Sequence, residues 1–184
     1  MKRFSSAALI WIGLALPFSR SVLEAHLVTH QFLQLGTLAA VGYIMGTVLR
    51  RRWDSVIAAW NHLGIPGLLV AFFALLVWLL PRSLDASLLD SRWEIAKFIS
   101  VPLLIGLPLS FSWPRLNAIG RGFVMANFAA MLVTMGVLYI VAPERLCTNY
   151  LIDAQQTFGR YALAAGISLA ISYVLYVVAA SRAD

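Results

Sequence analysis

A chain of 184 residues that is 61% hydrophobic and only 12% charged carries too little polar surface for a water-soluble domain. Its mean hydropathy of +0.83 indicates an integral membrane protein, and its single cysteine, Cys147, excludes an internal disulfide framework. The net charge of +6 would suggest nucleic acid in a soluble protein, but the basic residues here fall between apolar runs, where they set topology, so nucleic acid binding is set aside.

The pattern predicts an all-α integral membrane bundle, a single domain over residues 1–184. About six transmembrane helices are expected, over residues 5–18, 22–49, 65–81, 93–112, 121–142 and 156–180. The first run follows Lys2 and Arg3 and fits either a cleaved signal or a helix; with no small-x-small cleavage site before Glu24 it reads as an uncleaved helix. The second run opens with EAHLVTHQFLQ. Residues four apart on an α-helix lie one turn apart and about 40° around the axis, so His26, His30, Gln34 and Thr37 are expected to form one polar stripe. Two imidazoles so spaced can converge on one metal ion, zinc or copper, or can hydrogen-bond across the bundle. They project the same way and cannot take opposite faces of one haem, and His62 is expected at the other membrane face, which disfavours haem.

Farther along, WDSVIAAWNHLG at 53–64 is too short to span and suits an interfacial helix or loop, with Trp53 and Trp60 at headgroup depth. Gly42 and Gly46 give a small-residue face for close helix packing. Asp85, Asp90 and Glu94 are expected as solvated charge near Arg82, Arg92 and Lys97, and Met131 with Met135, one turn apart, as core filling or as thioether donors to Cu(I). In ERLCTNYLIDAQQTFG, Cys147 and Asp153 are a thiol and a carboxylate that could complete a metal site begun by the histidines, or be an inert cysteine and a helix-entry cap. Lys2, Arg3, Arg50, Arg51, Arg52, Arg115, Arg121 and Arg182 fall on one side, which predicts cytoplasmic N- and C-termini. Phosphate-loop, nucleophile-elbow and His-Glu-x-x-His motifs are absent, so no enzyme is expected.

His26-x-x-x-His30 near the outer start of a helix resembles the paired-His motif of the cytochrome c oxidase assembly factor CtaG family. WLLPRSLDASLLDSRWEIAKFISVPLLIGLPLSFSW, from Trp78 to Trp113, and LIDAQQTFG resemble two further blocks of that family, in the same order, and the three together cover about two thirds of this shorter, divergent chain. The resemblance implies a bacterial-type inner-membrane protein that holds or delivers copper at the outer face for maturation of a haem-copper oxidase. His26 and His30 would be donors, Asp153 would help complete the site, and Cys147 or a Met would be an optional soft ligand for Cu(I). Where the family pattern has further histidines this chain has Leu79, Leu80 and the run Ser91 to Glu94. That departure supports an alternative: a non-catalytic accessory subunit of a respiratory or oxidase complex with a degenerate metal site. Lipid and a membrane oxidase subunit are the partners implied; the sequence leaves the oligomeric state open.

Overall fold

Prolines decide where several apolar runs are cut into helices. The structure is a computed structural model that describes residues 2–182, with side chains from Phe4 onward; the side chains of Lys2 and Arg3, used in the topology argument above, and the C-terminal Asp184 lie outside the described residues. Pro17 separates α1 (Lys2–Ala15) from α2 (Pro17–Leu23), and Pro81 separates α4 (Ile65–Leu79) from α5 (Pro81–Leu89). A proline pushes the residue before it out of the helical region yet fits the first turn of a new helix. Leu16 and Leu80 are accordingly extended, at ψ 139° and 131°, and the paired helices meet at bends of 73° and 69°.

The second run does not form one continuous helix from residue 22. It breaks after α2, resumes, passes through a π-helical stretch at Thr29–Leu35, and continues as α3 (Gly36–Asn61), which is itself interrupted at Trp53 (φ −115°, ψ 19°). Gly64, at φ +75°, turns the chain into α4; a Cβ there would lie 2.7 Å from the Ser112 carbonyl oxygen as well as in a left-handed conformation. Then follow α6 (Ser91–Ser100), a second π stretch at Val101–Gly106, α7 (Leu107–Ser112), α8 (Ala118–Val141) and α9 (Ile152–Ala180).

Regular structure among the described residues is helical throughout. Four helical stretches are long and apolar enough to cross a membrane: Thr29–Asn61, Ser91–Arg115, Ala118–Val141 and Ile152–Ala180. The number rises to six if each bent pair makes one span.

Backbone contacts divide the chain into two units. The first holds the residues up to Leu116 together with Cys147–Asn149. Its core is Leu35, Leu38, Trp78, Phe98, Val101 and Ile105, with Trp11 and Leu14 of α1 packed against it. Pro102 has no N–H, so the Phe98 carbonyl four residues earlier loses its helical donor. The Trp11 indole N–H supplies the missing bond at 2.9 Å. On the other side of that proline the helices touch backbone to backbone: a Cβ on Gly42 would collide with the Pro102 carbonyl oxygen, and one on Gly106 with that of Ala39. This is the close approach that the Gly42/Gly46 face predicts.

The second unit, Asn117–Leu146 with the residues from Tyr150 on, is built on α8 and α9. They approach through Gly136, Gly159 and Gly166; a Cβ on Gly136 would meet the Leu163 nitrogen at 2.6 Å. Gln155 closes the connecting loop, accepting from the Leu146 N–H and donating to the Tyr150 carbonyl, both at 2.9 Å.

Candidate functional site: a buried lysine and its acceptors

Lys97 is the seventh residue of α6, so about 9 Å of helix precedes it in its span. Its side chain is 0% exposed. The amine donates to Glu24 Oε1 at 2.7 Å and to Gln34 Oε1 at 2.9 Å, and lies 3.0 Å from His30 Nε2. An ammonium has three protons and no lone pair, so three acceptors saturate it, and His30 Nε2 must be the acceptor of its bond. The Gln34 amide donates in turn to the same Glu24 oxygen at 2.9 Å. One turn before Lys97, Glu94 forms an ion pair with Arg20 of α2. Two cations thus meet two carboxylates, which an apolar interior requires if it is to hold any of them charged.

This cluster explains the break before the second span. On a continuous helix Glu24 and Gln34, ten residues apart, would be separated by about 15 Å along the axis and could not touch. Their side chains are in hydrogen-bond contact because the chain folds back between them. The Thr29 hydroxyl holds that fold, donating to the carbonyls of Leu23 at 2.6 Å and His26 at 2.9 Å.

The expected polar stripe is therefore divided. His30 and Gln34 are buried on Lys97, whereas His26 lies in the bend, exposed, with its carbonyl accepting the first N–H of the following helix, that of His30. Gln31, beside His30, buries both amide atoms without a hydrogen-bond partner among the described residues, making it a costly position in this π stretch. Cys147 is buried in the first unit, in the segment that Asp85 holds. Asp153 is exposed in the first turn of α9, where a carboxylate suits the helix dipole; the N-cap itself is Leu151.

Lys97 places a positive charge against an imidazole nitrogen of His30, and a second cation at that nitrogen would be repelled. Among the described residues no three His, Cys, Asp or Glu side chains gather as a metal site would require. In this arrangement the Lys97 ammonium occupies the His30 nitrogen that a metal ion would need.

Two other expectations are corrected. Lys97 is not a solvated partner of Asp85, Asp90 and Glu94 but the buried centre of the cluster. Nor is Asp85 simply solvated: its carboxylate accepts from the backbone N–H and hydroxyl of Thr148 at 2.6 and 3.0 Å and from the backbone and side-chain nitrogens of Asn149 at 3.3 and 3.0 Å. Asp90 caps α6 through the Arg92 N–H at 2.8 Å. The signal for the cluster was available as Lys97 inside the apolar run 93–112, since an ionisable residue in a span demands a named partner. The chain matches no family model, no curated protein and no solved structure.

Proposed function

We propose that this chain is a non-catalytic accessory subunit of a membrane respiratory or haem-copper oxidase complex, with His30 serving the helix bundle rather than a metal. The observation that carries the reading is Lys97 Nζ beside His30 Nε2. A lysine that closes Glu24, His30 and Gln34 around itself makes a helix clasp, and a clasp leaves no open coordination position for a cargo ion. The link to an oxidase rests on the ordered resemblance of the His26–His30, Trp78–Trp113 and 151–159 segments to the copper-assembly family. In this reading the chain lies in a bacterial-type inner membrane with the Arg50–Arg52 end in the cytoplasm, as the distribution of basic residues favours.

Elemental analysis and affinity purification from native membranes test it together. The expected result is substoichiometric copper in both the native chain and the His26→Ala/His30→Ala double variant, with a larger membrane complex co-purifying in fixed proportion. One copper per native chain, lost in the double variant, would overturn the accessory reading in favour of a copper-delivery factor using His26, His30, Cys147 and Asp153.

A further inference from the structure

The helical stretch that carries His30 continues past the end of its apolar run. Thr29–Asn61 is 33 residues, about 50 Å of helix, against about 30 Å of bilayer hydrocarbon. Its apolar run ends at Leu49, and Arg50, Arg51 and Arg52 follow at once. The backbone break comes next, at Trp53, and redirects what remains of the helix.

Beyond the break the segment has a buried face and an exposed one. Ile57 and Asn61 are buried in the first unit, and Asn61 ties down the start of α4 by accepting from the Gly67 N–H at 3.1 Å while donating to the Ser112 hydroxyl at 3.1 Å. Val56 and Trp60, one turn apart on the helix, and Trp53 and Leu63 at its two ends are 54%, 46%, 52% and 56% exposed. The nearby acid, Asp54, is taken by Arg115 at 2.5 Å, and Arg115 also donates to the Phe111 carbonyl at 2.9 Å. Among the described residues Arg50, Arg51 and Arg52 make no ion pair, so three positive charges stand uncompensated beside these exposed side chains.

We propose that residues 50–63 form a binding surface for anionic phospholipid headgroups, with Arg50–Arg52 holding the phosphates and Trp53, Val56, Trp60 and Leu63 seated at the acyl boundary. Guanidinium groups match phosphate oxygens in geometry and charge, and tryptophan favours this depth. The Asp54–Arg115 pair and the Asn61 bonds fix the surface to the first unit, so it meets the headgroups already formed. The inference rests on the chain spanning a membrane and is independent of the oxidase reading.

The test uses the full chain in mixed micelles, with tryptophan fluorescence quenched by brominated phosphatidylglycerol or brominated phosphatidylcholine. The native chain is expected to prefer phosphatidylglycerol by roughly fivefold or more, the effect of even one basic residue near an anionic surface. Arg50→Gln/Arg51→Gln/Arg52→Gln should bring the preference to about one while quenching by phosphatidylcholine is unchanged, which also reports that the chain remains folded. Trp53→Phe/Trp60→Phe, with the arginines intact, should remove the quenching specific to the anionic lipid. Equal quenching of the native chain by both lipids, or a preference that survives the arginine substitutions, overturns the proposal. So does displacement of the anionic lipid by excess inorganic phosphate, which would make this a site for free phosphate.

Discussion

At position 97 one side chain sets the terms for three others. Lys97→Met would leave Glu24 a carboxylate largely withdrawn from water with its cation gone, and breaking such a pair costs about 3–5 kcal/mol. Glu24→Gln in the same chain removes the stranded charge, and the neutral pair should recover most of the loss. Thermal unfolding in detergent measures this: the single variant is expected to melt well below the native chain and the double variant between them. A double variant that loses the sum of the two single losses would show that the residues are not coupled. Lys97 and Glu24 were each visible in the sequence as charges at the margins of apolar runs, but their pairing was not. They are 73 positions apart, and no helical periodicity relates residues on different helices.

Among the elements, helix location was legible and helix continuity was not. Apolar run length placed the helices, and Gly42 with Gly46 correctly marked a close packing face. The breaks at 24–26 and at Trp53 carry no proline or glycine to announce them; the first lets Glu24 reach Lys97. Pro102 shows the opposite case, a legible residue whose partner was hidden. Because the Trp11 indole serves a carbonyl that Pro102 leaves without a donor, Trp11→Phe is expected to cost about 1 kcal/mol for the lost hydrogen bond. In a Pro102→Ala background position 102 regains its N–H, and the same substitution should cost measurably less. A chemical-denaturation double-mutant cycle reads the difference; equal costs in both backgrounds would refute the account.

On the scale of the molecule, the chain leaves its first unit at Leu116 and returns to it only at Cys147–Asn149. Asp85 holds that return with four hydrogen bonds, none of which its reading as solvated charge foretold. Asp85→Ala should release the segment, and limited trypsin digestion at the exposed Arg145 should then accelerate by on the order of tenfold, the effect of losing charge-assisted bonds. An unchanged cleavage rate would show that other contacts hold the segment. The lysine clasp also imposes an order on biosynthesis. Glu24 leaves the ribosome long before Lys97, and an ionisable side chain entering lipid without a partner is costly. The early helices thus already carry the acceptors that Lys97 needs when α6 enters the bilayer, and a chain stopped before residue 97 would present them without the Lys97 ammonium.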